Sequence, residues 1–131
     1  MIVLDASAAV ELTLSLRLSS GVQEHLEKAR WQIAAPELLT VEVIQVLRRR
    51  VLAKVTSVEA AEEALDLLAD LNIRFFSHQT LADRIWELRD NATAYDAAYL
   101  ALAELLSAEL LTADSRLAHS GGHAAKISLV S

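Results

Sequence analysis

Apolar positions along this chain fall into two patterns. Short, mostly apolar runs recur at Met1 to Leu4, Trp31 to Ala34, Ile73 to Phe76, Leu110 to Thr112 and Ile127 to Val130, and read as five short strands, the first of them buried. Between them lie longer stretches with Ala, Leu and Val at helical spacing. These predict helices over 6–14, 19–30, 36 to about 52, 58–70, 79–90 and 94–107, with a short one starting near Asp114. Pro36 suits the first turn of its helix. Ser57 suits a cap, with Glu59, Glu62 and Glu63 following where the helix dipole favours acids. Strands alternating with helices predict an α/β fold, a parallel sheet covered on both faces. In such sheets ligands bind beyond the carboxyl ends of the strands. Asp5 and Asp114 fall there, just after the first and fourth strands.

Composition narrows the picture. With 131 residues, 53% of them apolar, the chain is expected to form one domain over 1–131 with a single core. Three Gly and one Pro leave little room for long loops. The absence of Cys excludes disulfides and thiolate metal sites. No apolar run approaches the roughly 18 residues of a membrane span. The N-terminus is not that of a signal peptide, since no basic segment precedes its apolar opening and Asp5 interrupts it. A cytoplasmic protein is therefore expected.

Four acids stand in apolar or small-residue surroundings: Asp5, Glu42, Asp96 and Asp114. A charge in such a place needs a partner, and four acids can share only cations. Each also has a plainer reading. Asp5 and Asp114 sit where a helix N-cap belongs, and Thr93 with Asp96 resembles a capping box. Glu42 is harder to explain as a cap. Its neighbours one turn away are Leu38, Leu39, Gln45 and Val46, so no intrahelical ion pair offsets it. Asp96 likewise has only Tyr99 and Leu100 one turn on, although Glu104 meets the same criterion. The histidines (His25, His78, His119 and His123) show no metal-ligand spacing. Oxygen donors alone favour Mg²⁺ or Mn²⁺ over Zn²⁺.

Net charge is −6, which argues against simple electrostatic attraction to nucleic acid. Neutralising the four singled-out carboxylates would bring it to −2. Arg48, Arg49, Arg50 and Lys54 cluster at the end of one predicted helix, while Arg84, Arg89, Arg116 and Lys126 lie in the C-terminal half. The first cluster reads either as a solvated helix end favoured by the dipole or as a phosphate-contacting patch.

The segments IVLDASAAVE, APELLTVEVIQVLRRR, WELRDNATAYDAAYLALAE and LLTADSRLA, in this order and over the whole chain, resemble the PIN-domain toxins of VapBC toxin–antitoxin systems. The resemblance implies a three-layer α/β/α sandwich with a parallel five-stranded sheet. It implies an Mg²⁺- or Mn²⁺-dependent endoribonuclease toxin in which Asp5, Asp96 and Asp114 hold the metal and Glu42 completes the acidic pocket. Products with 5′-phosphate and 3′-hydroxyl ends are expected. Thr112 matches a hydroxyl residue that orients the site, and Ser7 a small polar position beside the first acid. Many relatives carry a further acid where this chain has Arg116, which puts a second metal in question. Arg48, Arg49, Arg89 and Arg116 are candidates for contacting RNA. A VapB-like antitoxin placing a basic side chain in the pocket, and a homodimer, are the implied partners. Other readings are a PIN-type nuclease of RNA maturation and a non-catalytic RNA- or protein-binding module of the same fold. A phospho-acceptor domain built on Asp5 is disfavoured, because Asp5 has no paired acid beside it and Lys126 precedes the last strand.

Overall fold

A computed structural model describes all residues from Met1 to Ser131. Five strands, β1 (Ile2–Leu4), β2 (Ile33–Pro36), β3 (Arg74–Phe76), β4 (Glu109–Thr112) and β5 (Ile127–Leu129), form one sheet in the order β3-β2-β1-β4-β5. Every pairing is parallel. Seven helices cover it: α1 (Ala6–Thr13), α2 (Ser19–Lys28), α3 (Leu38–Leu52), α4 (Val58–Asp70), α5 (His78–Glu87), α6 (Ala94–Leu106) and α7 (Ser115–Ala118). The expected α/β/α sandwich with a parallel five-stranded sheet is the observed fold.

The central strands explain the apolar runs. β1 is buried along its whole length, as are Leu110 to Thr112 of β4, because helices close both faces. Helix α6 packs across β1, β2 and β4, and α5 lies against it. Seven consecutive residues of α6, Ala97 to Ala103, are buried, so its apolar pattern runs all round rather than along one stripe. On the other side of its neighbours, α1 packs against α2, α3 and α4.

Two local expectations are corrected. The second strand starts at Ile33, not Trp31. Arg30 and Trp31 both adopt left-handed backbone conformations (φ 54° and 56°), which turns the chain out of α2 before β2 can begin. Pro36 accordingly closes β2, paired in register with Phe76, rather than opening α3. With Pro36 spent on the strand, α3 begins without a capping side chain from its own Glu37. His78 Nε2 accepts the free Leu38 N–H at 2.9 Å instead. Elsewhere the structure supplies the caps that the sequence predicts: Ser57, Thr93, Asp5 and Asp114 each accept a backbone N–H at the start of a helix.

Strand order places the site. The chain moves outward from β1 to β2 and β3, then returns to β4 on the other side of β1. The reversal falls between β1 and β4, and the crevice beyond their carboxyl ends is where open parallel sheets bind ligands.

Candidate active site

Asp5 follows β1 directly, and its N–H donates to the Leu111 carbonyl of β4 at 3.2 Å. Its carboxylate is buried, 5% exposed, and every hydrogen bond it accepts is uncharged. Oδ1 accepts from the Ala8 N–H at 2.9 Å and from Ser7 Oγ at 2.7 Å, while Oδ2 accepts from Thr112 Oγ1 at 2.5 Å. The cap reading and the pocket reading of Asp5 are thus both true. It caps α1 and it also faces the β4 end. Burial pushes its carboxyl up to about 6, with Asp114 adding repulsion and the three hydrogen bonds pulling in the opposite direction.

Ser7 and Thr112 stitch the two strand ends together. Ser7 Oγ accepts the Ala113 N–H at 2.9 Å, and Thr112 Oγ1 accepts the Asp114 N–H at 3.0 Å. Each hydroxyl therefore accepts a backbone N–H of the β4–α7 turn and donates its own O–H to Asp5. That relay fixes where Asp114 leaves the sheet relative to Asp5.

Glu42 lies one turn into α3 and is half-buried. Its partner is the phenol of Tyr99, which donates to Oε1 at 2.6 Å from the buried middle of α6. Burial and the nearby Asp96 raise the Glu42 carboxyl, and the Tyr99 bond lowers it. Tyr99 itself is held far above its ordinary value by burial, by the Glu42 bond and by the fields of Glu42, Asp5 and Asp96. Tyr99 is the residue that the sequence reading passed over. It stands three residues after Asp96, so the two share one face of α6, and that spacing was the available signal.

Asp96 caps nothing with its side chain; its own N–H is held by Thr93 Oγ1 at 3.1 Å. The carboxylate instead meets Arg116, Nη1 to Oδ2 at 2.7 Å. The same guanidinium reaches Asp114 Oδ2 at 3.2 Å through Nη2. Asp114 also caps α7, accepting the Arg116 N–H at 2.9 Å. Arg116 is thus the one cation in hydrogen-bond contact with the four acids, and it touches two of them.

Asp114 adds repulsion at Asp5 and Asp96 at Glu42, Tyr99 lies in the fields of Glu42, Asp5 and Asp96, and Arg116 joins Asp96 to Asp114. The sequence-predicted acids are therefore brought together, with Ser7 and Thr112 between Asp5 and the β4 end. As the side chains stand, no three acids or histidines close on a single ion position. Two of the acids are instead turned to Arg116. The chemistry of the donors fits a hard divalent cation: all are carboxylate oxygens, and Asp5 and Glu42 are raised carboxyls with no basic side chain on either.

The other basic candidates lie elsewhere. Arg48 lines a groove between α3 and α4, and exposed Arg49 follows it near the end of α3. Neither pairs with an acid, so the structure does not join them to the pocket. Arg89 stacks on the exposed Trp86 ring at 4.6 Å and donates to the Trp86 carbonyl. Of the four arginines suggested for RNA contact, only Arg116 stands at the acids.

Comparison with known proteins places the chain in a family. The PIN domain family model matches residues 2–122. Ribonuclease VapC12 of Mycobacterium tuberculosis is 39% identical over 130 residues, covering 99% of each chain. Ribonuclease VapC1 of the same organism is 43% identical over 129 residues, covering 98% of this chain and 96% of the relative. The crystal structure of PAE2754 from Pyrobaculum aerophilum superposes with a TM-score of 0.69 over 88% of this chain and 76% of the other, at 22% identity, and that of Mycobacterium tuberculosis VapC20 with a TM-score of 0.67 over 90% and 93%, at 16% identity; both share the fold. With a family match over nearly its whole length and full-length relatives at this identity, the chain belongs to the PIN-domain family, in its VapC branch.

Proposed function

We propose that this chain is a metal-dependent endoribonuclease, the toxin of a toxin–antitoxin pair. The observation that carries the reading is the gathering of Asp5, Glu42, Asp96 and Asp114 at the β1/β4 crevice, with a buried Asp5 carboxylate that no cation of the chain contacts. Full-length relatives named ribonucleases support the substrate class. Asp5, Asp96 and Asp114 would hold Mg²⁺ or Mn²⁺, with Glu42 completing the pocket directly or through water. When bound, the ion supplies Lewis acidity, polarising a scissile phosphate and lowering the pKa of a water.

The chain's own groups do the rest. Ser7 and Thr112 hold Asp5 with both oxygens aimed, so no rotamer is lost when a cation arrives. Tyr99 keeps Glu42 pointed at the pocket and favours its ionised form. A raised carboxylate at Glu42 is suited to take the proton of the attacking water. The products would carry 5′-phosphate and 3′-hydroxyl ends.

The toxin reading brings a partner, a VapB-like antitoxin. The groove between α3 and α4, lined by Ile44, Leu47, Val51, Leu52, Val58 and Leu65, suits the apolar face of a short amphipathic segment. A cytoplasmic homodimer completes the proposal; no helix is long and apolar enough to cross a membrane. The test is RNA cleavage with Mg²⁺ by the purified chain and by D5N and D96N. Loss of cleavage in both variants is expected. Full activity in either removes that acid from the site.

A further inference from the structure

We infer that Arg116 is a built-in counter-cation of this site, one that a metal ion must displace before it can bind. The inference rests on the metal reading above and concerns what holds the pocket together in the ion's absence.

The atoms make the case. Arg116 Nη1 lies 2.7 Å from Asp96 Oδ2 and Nη2 lies 3.2 Å from Asp114 Oδ2. Asp96 comes from α6 and Asp114 from the end of β4, so one guanidinium spans two elements that the fold brings together. A divalent cation held by Asp96 and Asp114 would draw on these same two carboxylates. A carboxylate oxygen turned to a guanidinium and the same oxygen turned to a metal compete for one orientation.

The side chain is also placed to leave. Its backbone is anchored, because the Arg116 N–H donates to Asp114 Oδ1 at 2.9 Å and caps α7. The guanidinium, by contrast, is on the surface, with 66% of the side chain exposed. It can swing into water without moving α7. No other Lys, Arg or His side chain is paired with any of the four acids. A single exposed cation therefore offsets part of the repulsion among four carboxylates, and surface pairing of this kind is weak enough to be reversible.

The consequence is a metal affinity set by a residue that need not touch the metal. Removing the competitor should tighten binding, and reversing its charge should tighten it further. Two exposed ion pairs of ordinary strength correspond to about a tenfold effect on a dissociation constant.

The experiment is calorimetric titration of the metal-free protein with Mn²⁺, with thermal melting in EDTA and in saturating Mn²⁺. It compares the wild type with R116A, R116K and R116D. R116A is expected to bind Mn²⁺ about tenfold more tightly, R116D at least as tightly as R116A, and R116K close to the wild type. In EDTA, R116A and R116D should melt below the wild type, and saturating Mn²⁺ should remove the deficit. Unchanged or weaker Mn²⁺ binding by R116A overturns the inference and leaves the metal site standing. Melting deficits that Mn²⁺ does not repair also overturn it, since they reduce Arg116 to a structural tie. Absence of Mn²⁺ binding in every form overturns the metal reading itself, and this inference with it.

Discussion

The phenol of Tyr99 donates a 2.6 Å hydrogen bond to Glu42, joining the buried centre of α6 to α3 across the acidic pocket. Tyr99 is only 2% exposed, so its hydroxyl has no route to bulk water, and Glu42 is the partner it has. This pair aims the one acid of the four that caps no helix and meets no cation.

Replacing that phenol tests the pair. In Y99F the Glu42 carboxylate loses its charge-assisted donor, at a cost of about 1–2 kcal/mol at neutral pH. Glu42 is already raised above 4.5, and without Tyr99 it rises further. A raised acid contributes stability at low pH and loses it as pH climbs through its folded-state value. Y99F should therefore be nearly as stable as the wild type at pH 4 and clearly weaker at pH 8. Urea unfolding at the two pH values measures this; an equal deficit at both would assign the loss to packing.

Asp5 gives the larger pH effect. Its carboxyl is moved from 3.8 to about 6 by burial, which makes its ionisation an expense to the metal-free fold. The shift corresponds to about 3 kcal/mol, fully in hand below pH 4 and lost as pH rises through about 6. D5N removes this ionisation while keeping acceptor capacity for the Ala8 and Ser7 hydrogens. Metal-free D5N should thus be more stable than the wild type at pH 7.5 and should show a shallower decline between pH 4 and pH 7, the remainder belonging to Glu42. Unfolding in EDTA across that range reads it directly. A D5N protein less stable than the wild type at pH 7.5 would refute the expense. The same variant is the one expected to abolish RNA cleavage, so stability and activity should move in opposite directions.

Thr112 is fully buried, and its hydroxyl serves two masters: it donates to Asp5 and accepts the Asp114 N–H. T112V keeps the shape and strands both partners, which should cost about 2–4 kcal/mol and displace Asp114 relative to Asp5. T112S keeps the hydroxyl and should recover most of the lost Mn²⁺ affinity, at a smaller cost for the missing methyl. Melting and metal titration of the two variants separate hydrogen bonding from packing; equal metal binding by T112V and T112S would remove Thr112 from any orienting role.

Much of this site was legible because the signal was local. A carboxylate at the end of an apolar run can be read from its flanks, and Asp5 and Asp114 stand there in both sequence and structure. What escaped depends on contacts between distant segments. Glu104 looked as uncompensated as Glu42, yet Arg84 from α5 reaches both of its oxygens, at 2.8 and 3.0 Å, and holds its carboxyl low. Nothing within one helix could tell these two glutamates apart. Arg116 shows the same limit. Its position two residues after Asp114 was plain, but that its guanidinium lies between Asp96 and Asp114 follows only from the packing of α6 beside β4. The displaced start of β2 has a backbone cause, the two left-handed residues Arg30 and Trp31, and neither is a residue type that announces such a turn.

The groove between α3 and α4 supplies the last prediction. Leu52 and Val58 are 65% and 51% exposed, and with Ile44 at 45% they leave a continuous apolar strip on the outside of the fold. Isolated exposed apolar side chains are ordinary, but a strip along two adjoining helices has the form that an amphipathic partner helix covers. Charges placed there would sit in water in the free protein and be buried in a complex. L52E and V58D should therefore change the stability of the free chain by no more than about 0.5 kcal/mol. They should leave RNA cleavage intact, because no acid of the pocket lines the groove. Binding to the proposed VapB-like antitoxin should fall by at least about a hundredfold in the double variant, as two desolvated charges oppose each complex formed. Co-purification with that protein, tagged, provides the readout. Retained binding by L52E/V58D would move the proposed antitoxin to another face, whereas lost binding with unchanged cleavage would seat its apolar segment on α3 and α4.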